Sequence, residues 1–513
     1  MKKSLFVTVP TLALLLCGIV ACGGDDKKSS TPVEPSTPTT STGGQASTPV
    51  QPSTPTTSTG GQASTPVQPS TPTTSTGGSV SGKDINIRVG VDSDSWVAEL
   101  NKYFTDNPIQ GIKVTVVNEG ASGAADKITE THDAMPDVQL VVDGEVTRNG
   151  ASLADVGEDL EASLAKNSVA KFVNATKVNG RSKYVPVGYD GMAFAYNKTM
   201  LEALGVDVSE ITEKGLPESL DTFEEIFELA QLWAEEGYGT YAGKEITTAV
   251  SLVAGNSWSG YAYASAGGWK ILADEENPTD AGFGSEEFKA GLEFIAAAAD
   301  AKVKVQKAGT VYELAPSSTL SQEQADDLLH NRTSPMALVG TWMDVAGSTA
   351  VQEGDEIVFA AMPTWNGNQP GPFIKSKGFV INAYSKNVAA ATVVLEKLYS
   401  EELMQIMLNN TSMPAVLGND TEFELTLSEV QSSMINAFQY GYSEVNRAMP
   451  NNPNSKVMDA YYGIGPENFY KQVWDEAAAN TGADRDAWLD GIIEDIVDAF
   501  DTKVAELNVA PAA

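Results

Sequence analysis

The chain has 513 residues, which is long enough for two or three domains with substantial hydrophobic cores. Its 68 acidic residues outnumber its 33 basic residues, and the formal net charge is −35. Nucleic acid and large polyanions are therefore poor partners, because phosphate groups are bound by basic surfaces. The two cysteines, Cys17 and Cys22, lie near the N-terminus, so the rest of the chain is predicted to fold without disulfides.

The N-terminus has the pattern of an export signal. Two lysines precede an apolar run that is too short to span a bilayer. The run ends in Ile-Val-Ala-Cys, which resembles the bacterial lipobox, where the cysteine is acylated and the chain is cut just before it. We expect a signal peptide over residues 1–21 and a lipid anchor on Cys22, with the protein facing the periplasm or the cell exterior. A plain secretory signal with an incidental cysteine is the alternative.

A low-complexity segment follows over residues 22–82. Within it, a unit that begins STPVEPSTPTTSTGGQA occurs three times with small changes. Proline, threonine, serine and glycine bury too little apolar surface to fold, so we expect a disordered stalk between the lipid and the body of the protein.

Strand and helix patterns alternate from residue 83 onward, where the globular body is predicted to begin. Strands are predicted over 85–91, 112–117 and 136–142, with helices over 96–104 and 122–134, the second capped by Ser122. This alternation indicates parallel α/β construction. Ligands of open α/β sheets bind at the carboxyl ends of strands, which here carry polar and aromatic residues, namely Asp92, Asp94, Trp96 and Asp143.

The stretch YVPVGYDGMAFAYNK, residues 184–198, places one carboxylate, Asp190, between two apolar strand-like runs. Glycines beside the acid permit backbone angles that a crossing between two lobes would need, and binding residues tend to lie on such connections. The pattern therefore fits a crossing that holds a polar group in the gap. An ordinary strand with a bulge is the alternative, because isolated glycines often mark bulges.

The second half of the body continues the alternation. A helix over 222–237 begins with a capping box formed by Thr222 and Glu225. An aromatic, glycine-dotted segment at 256–269 contains Trp258 and Tyr261. The remaining predicted elements are a helix over 285–303, strands over 336–339, 357–363 and 378–382, and helices over 389–399 and 401–408. The strand at 336–339 leads directly into Gly-Thr-Trp342.

Five segments in order are similar to the maltose-binding-protein group of extracellular solute-binding proteins, which serve ABC importers. YVPVGYDGMAFAYNK resembles the family's first interlobe crossing and its Tyr-Asn-Lys signature. The other four similar segments are LDTFEEIFELAQ, LLHNRTSPMALVGTWM, FAAMPTWNGNQPGPFIKSKGFVIN and AMPNNPNSKVMDAYY. The similarity extends over residues 85–507.

The resemblance implies an α/β fold of the two-lobed periplasmic-binding-protein type, with discontinuous lobes joined by hinge crossings. Lobe 1 would comprise about 84–189 and 375–425, and lobe 2 about 190–374 and 426–508. The implied ligand is a neutral oligosaccharide of the maltose or maltodextrin type, held in the cleft of a monomer that closes by hinge motion. The implied partners are the membrane subunits of an ABC importer, and no cofactor is expected.

The resemblance also assigns ligand contacts. Trp342 corresponds to a position where the family stacks an aromatic ring on a sugar, and Asp190 to the crossing carboxylate that accepts sugar hydroxyls. Trp258 and Tyr261 lie near the second-lobe aromatic residues of the family. Asp143, Asp94 and Trp96 match first-lobe contacts within one or two positions.

One departure from the family concerns the late segment. Met458 and Asp459 stand where many members carry a third stacking tryptophan. Tyr461 or Tyr462 is the candidate replacement, and the ligand's length and identity stay open for this reason.

The alternatives to sugar binding are a glycosidase, an adhesive lipoprotein and a receptor for a non-sugar solute. Two carboxylates across a cleft could hydrolyse a glycosidic bond, but no short motif identifies an acid–base pair, and His132 and His330 are isolated in sequence. No cluster has metal-ligand spacing, so neither a metal nor a catalytic residue is predicted. An adhesive surface lipoprotein would fit the stalk but not the two-lobe pattern, and a receptor for a non-sugar solute is a further alternative.

Overall fold

A computed structural model describes residues 84–271, 281–301, 304–307, 310–313, 321–418, 420–441 and 456–508. These residues belong to one unit of the fold, which spans Gly78–Ala513. The predicted signal peptide, the lipid site at Cys22 and the stalk over 22–82 lie outside the described residues.

Strands and helices alternate through the described chain. The strands are β1 (Ile85–Val91), β2 (Ile112–Asn118), β3 (Val138–Val142), β4 (Leu153–Ala154), β5 (Val185–Asn197), β6 (Thr240–Tyr241), β7 (Lys244–Glu245), β8 (Val250–Ser251), β9 (Lys304–Lys307), β10 (Thr310–Glu313), β11 (Met336–Gly340), β12 (Ile357–Ala360) and β13 (Ile374–Asn382).

Helices connect these strands, and several of them pack against the sheet. They are α1 (Asp94–Asp106), α2 (Ala124–Thr131), α3 (Glu158–Asn167), α4 (Ala170–Ala175), α5 (Lys198–Ala203), α6 (Phe223–Glu236), α7 (Ser257–Ala264), α8 (Glu286–Asp300), α9 (Gln322–His330), α10 (Thr349–Gln352), α11 (Val388–Leu398), α12 (Glu401–Asn410), α13 (Glu429–Tyr440), α14 (Lys456–Gly463), α15 (Pro466–Glu476) and α16 (Ala483–Asn508). None of the described helices combines the length and the apolar character that crossing a membrane requires.

The main sheet has the strand order β2-β1-β3-β13-β5-β11-β8, with β12 also paired to β5 and β4 to β13. β1 pairs in parallel with β2 and β3, as the strand–helix alternation predicted. β13 runs antiparallel to β3 and to β5, so the parallel part of the sheet ends where the chain returns from its second half.

β5 joins two parts of this sheet. Its first half, up to Gly191, pairs with β13, and its second half, from Met192, pairs with β11 and β12. The register with β13 shifts between Lys377 and Gly378, which leaves Val187 without an opposite residue. The stretch 184–198 is therefore both a crossing between two sheet regions and a strand with a bulge, so the two alternatives are not exclusive.

Two large hydrophobic cores lie on either side of this crossing. One contains β1, β3 and α1 residues together with residues of α11 and α12, for example Val89, Leu140 and Leu395. The other contains the second half of β5 together with α6, α8 and α15, for example Phe194, Phe223 and Tyr470. Each lobe of the predicted fold therefore has a core of its own.

Two helix starts illustrate what local sequence can predict. α6 begins with the predicted capping box, in which the Glu225 amide donates to Thr222 Oγ1 (3.1 Å) and the Thr222 amide donates to the Glu225 carboxylate (3.0 Å). α2 was predicted to begin at Ser122, and this is wrong. It begins after Gly123, because the distant Glu145 carboxylate accepts from the amides of Gly123 (2.5 Å) and Ala125 (3.0 Å) and replaces a local cap.

Candidate ligand-binding cleft

A cavity of about 590 Å³ lies where the two sheet regions meet. It is lined by residues after the carboxyl end of β1, by the hinge strands β5 and β13, by the loop after β11 and by the segment that follows α12. The lining includes Asp92, Ser93, Asp190, Thr341, Trp342, Asp344 and Lys377. The position agrees with the expectation that ligands bind at the carboxyl ends of strands in α/β sheets.

Charged groups from both sides meet at the hinge. Lys377 Nζ lies 3.0 Å from Asp92 Oδ2 and 3.9 Å from Asp190 Oδ1. Burial alone would lower the pKa of Lys377, but the two carboxylates outweigh it and hold the pKa above its ordinary value. The lysine is therefore charged at neutral pH, and it ties the loop after β1 to the crossing strand.

The loop that carries Trp342 is attached to β5 directly after Asp190. The Thr341 amide donates to the Gly191 carbonyl (2.9 Å), and the Gly191 amide donates to Thr341 Oγ1 (3.3 Å). Gly340 lies under the indole of Trp342, since a Cβ on that glycine would come within 2.3 Å of the ring. The result is an indole that packs back on its own loop and leaves 40% of its surface exposed beside Asp190.

A second aromatic residue stands next to Trp342. Trp258 meets it edge to face, with the ring centroids 5.7 Å apart. Trp258 is held at the first turn of α7, where the Asn256 side chain accepts from the amides of Trp258 (2.8 Å) and Ser259 (3.3 Å). The predicted residues Asp190, Trp342 and Trp258 are thus brought together.

Two further predicted residues of the first lobe lie near the cleft without facing the cavity. Asp94 is the first residue of α1, and its carboxylate accepts from Asn118 Nδ2 (2.8 Å). Asp143 is fully buried, and its carboxylate accepts from the Ser376 amide (2.7 Å) and hydroxyl (3.1 Å). Asp143 therefore joins β13 to the segment after β3.

Three predicted aromatic contacts are core residues. Trp96 is 2% exposed and packs on Phe379, because the amphipathic α1 turns it toward the sheet. Tyr261 stacks on Phe373 at 3.8 Å between centroids, and Tyr461 donates to the Ser257 carbonyl (2.9 Å). Both tyrosines are fully buried. All three side chains pack in the cores, and none of them lines the cavity.

Sequence reasoning missed the two lysines of β13. Lys375 and Lys377 alternate with Ser376 on a strand that is otherwise apolar, and both lie on the face that Asp190 shares. The Lys-Ser-Lys pattern inside an apolar run was visible, but its importance depends on the pairing of β13 with β5. Tyr462 is 37% exposed, whereas Tyr461 is fully buried.

Within the described ranges, no group of three or more His, Cys, Asp or Glu side chains is arranged to hold a metal ion. His330 is buried on α9, and burial lowers the pKa of its imidazole.

The family profile described as bacterial extracellular solute-binding protein matches residues 96–417, which is more than half of the chain. The protein belongs to this family. No curated protein matches the sequence.

Solved structures of this solute-binding protein's relatives have the same fold. The Thermus thermophilus maltotriose binding protein bound with maltotriose has a TM-score of 0.57 and 21% identity, and the match covers 82% of this chain and 100% of that one. The maltodextrin binding protein MalE1 from L. casei BL23, without ligand, has a TM-score of 0.58 at 14% identity, covering 82% and 99%.

A third structure, the maltose-binding periplasmic protein MalE from Listeria monocytogenes in complex with maltose, has a TM-score of 0.56 at 16% identity, covering 83% and 99%. These similarities confirm the predicted two-lobed α/β fold. The family profile confirms the predicted resemblance to extracellular solute-binding proteins.

Proposed function

We propose that this solute-binding protein captures an oligosaccharide of the maltodextrin type in its cleft and delivers it to an ABC importer. The observation that carries the proposal is the juxtaposition of the exposed Trp342 indole with Asp190 in one cavity. A flat aromatic face suits the slightly positive C–H groups of a sugar ring. A carboxylate accepts charge-assisted hydrogen bonds from its hydroxyls.

The charges of the cavity favour a neutral ligand. Asp92, Asp190 and Asp344 line it together with one described basic residue, Lys377. Because carboxylates outnumber ammonium groups here and the whole chain is strongly acidic, an anionic ligand would be repelled. Hydroxyl groups, which both donate and accept, can satisfy the carboxylates and the lysine without adding charge.

The arrangement of the two cores supports the proposed delivery to an importer. Two cores joined by β5 and β13 can rotate about these strands, as two-lobed proteins do when they close on a ligand. The importer's membrane subunits would bind the closed form. A lipid on Cys22 would keep the receptor at the membrane, and the stalk would give it reach.

A binding screen tests the ligand class. Thermal shift followed by calorimetry would compare maltose, maltodextrins, cello-oligosaccharides and xylo-oligosaccharides with a peptide mixture and divalent metal ions. We expect a sugar to raise the melting temperature. If peptides or metal ions do so and no sugar does, the carbohydrate proposal is wrong.

An incubation separates a receptor from a glycosidase. The protein at high concentration is mixed with whichever oligosaccharide binds, and reducing ends are measured over hours. We expect no release. Steady turnover would replace the receptor proposal with an enzymatic one.

A further inference from the structure

Lys375 lies next to the cavity, although it is not among the residues that line it. It lies on β13 opposite Asp190 on β5, two residues before Lys377 and on the same face of the strand. Its ammonium group lies over two aromatic rings of the second lobe, 4.7 Å from the ring centroid of Trp258 and 5.6 Å from that of Tyr462. We call the space between these two rings the aromatic slot.

The nearby carboxylates have other partners. Asp190 lies within 4 Å of Lys377, Asp143 accepts from Ser376, and Glu145 accepts from the amides at the start of α2. Among the described residues, no carboxylate oxygen lies within 4.0 Å of Lys375 Nζ. Asp143, Asp190 and Glu145 attract the ammonium group from a distance, and the two cation–π contacts place it over the rings.

This placement matters for stacking. While Lys375 keeps this position, a sugar ring cannot stack on the faces of Trp258 and Tyr462 that the ammonium group covers. The exposed indole of Trp342, which meets Trp258 only edge to face, has no such occupant among the described residues. One stacking platform is thus open, and the neighbouring slot is filled by a side chain of the protein itself.

We propose that Lys375 determines the length of the bound oligosaccharide, because it closes the aromatic slot and ends the stacking surface at Trp342. This inference rests on the proposed function, since it concerns the same cleft and the same class of ligand. Removal of the lysine side chain would extend the surface by one ring.

Calorimetry with a series of increasing chain length tests the proposal. Maltose, maltotriose and maltotetraose, or the equivalent series of whichever sugar binds, are titrated into the wild-type protein and into Lys375→Ala. In the wild type we expect affinity to level off once the Trp342 platform is filled. In Lys375→Ala we expect the longest sugar to bind roughly fivefold to tenfold more tightly than in the wild type, the range typical of one aromatic contact.

Lys375→Arg is the matched control. Arginine keeps the charge and stacks on aromatic faces, so it should leave the slot filled and the wild-type length profile unchanged. Melting curves of both variants without ligand would show that the fold is kept. An equal loss of affinity for every length in Lys375→Ala would overturn the proposal and make Lys375 a hydrogen-bond donor to the ligand.

An unchanged length profile in Lys375→Ala would also overturn it, because the slot would then take no part in binding. Both outcomes leave the proposed function standing, since the wild type still binds sugar. If no sugar of any length binds either protein, the proposed function fails, and this inference fails with it.

Discussion

Trp342 shows how a single side chain can be exposed without being loosely held. Its indole packs on Gly340 and meets Trp258 edge to face, and the adjacent Thr341 is bonded to Gly191. The ring therefore has one fixed orientation before a ligand arrives. A preorganised aromatic face loses little conformational freedom on binding, which is why such residues dominate binding energies.

Trp342→Ala should weaken sugar binding by roughly 1–3 kcal/mol, the usual cost of removing a central aromatic contact. Calorimetry measures the change. Trp488→Ala is the control, because Trp488 lies on α16, bonds Glu476 and does not line the cavity. Unchanged affinity in a folded Trp342→Ala protein would remove this residue from the site.

Asp326 is a buried acid on α9, behind the loop that carries Trp342. Its carboxylate accepts from Gln322 Nε2 (2.7 Å), and burial raises its pKa to about 8. Because the folded protein holds this proton more tightly than the unfolded chain, where the pKa is about 3.9, the contribution to stability is full at low pH. This contribution decreases as the pH rises above the pKa of the unfolded chain, and it is lost once the pH passes about 8.

Asp326→Asn should therefore change the pH dependence of stability. Asparagine is neutral at every pH, so the wild type should lose stability relative to the variant by at most about 1.4 kcal/mol per pH unit between pH 5 and 8. Urea unfolding at several pH values measures this. Asp327→Asn, an exposed neighbour on the same helix, is the control. Parallel pH profiles of the wild type and Asp326→Asn would contradict the assignment.

At the scale of elements, the pairing of β5 with β13 positions the site. Asp190, Lys375 and Lys377 share one face of this pair, and the loop of Trp342 is bonded to the same strand at Gly191. The two strands approach closely here: a Cβ on Gly191 would lie 2.6 Å from the Phe373 carbonyl oxygen and 3.1 Å from Ile374 Cα. Glycine is needed at this point because the neighbouring atoms belong to the backbone.

Gly191→Ala should force the two hinge strands apart and lower the free energy of unfolding by about 1–3 kcal/mol, as overpacking of a tight contact does. Urea denaturation measures this, and sugar affinity should fall as well because Asp190 moves. Gly284→Ala is the control, since a Cβ there meets no heavy atom within 4 Å. Equal stability of the two variants would show that the strands tolerate the methyl group.

At the scale of the whole molecule, the proposed binding cleft and the predicted lipid site lie in different parts of the chain. The cleft lies in the unit that begins at Gly78, and the predicted lipid site lies at Cys22. The strongly acidic body favours solubility at a membrane surface and disfavours anionic partners.

Cys22→Ala should release the protein from the membrane without changing its affinity for sugar. Fractionation of cells that express either form, with metabolic labelling by a fatty acid, measures the first effect, and calorimetry on the purified proteins measures the second. Membrane retention of an unlabelled variant would contradict the lipid-anchor prediction.

The sequence by itself determined the family, the α/β class and the position of the crossing. Local sequence patterns indicate these features, namely the alternation of β1 and β3, the capping box of α6, and the glycines on either side of Asp190. Trp342 and Trp258 could be proposed as well, because each stands beside glycines in sequence without helical periodicity. The resemblance placed them in one cleft.

Only the tertiary structure decided which side chains face that cleft. Trp96, Tyr261 and Tyr461 look like binding aromatics in sequence, but their rings are turned into the cores by helices whose partners lie far along the chain. The position of Lys375 and Lys377 beside Asp190 depends on the pairing of β13 with β5, about 190 residues away in sequence. Burial and strand register depend on long-range packing, which a local sequence pattern does not specify.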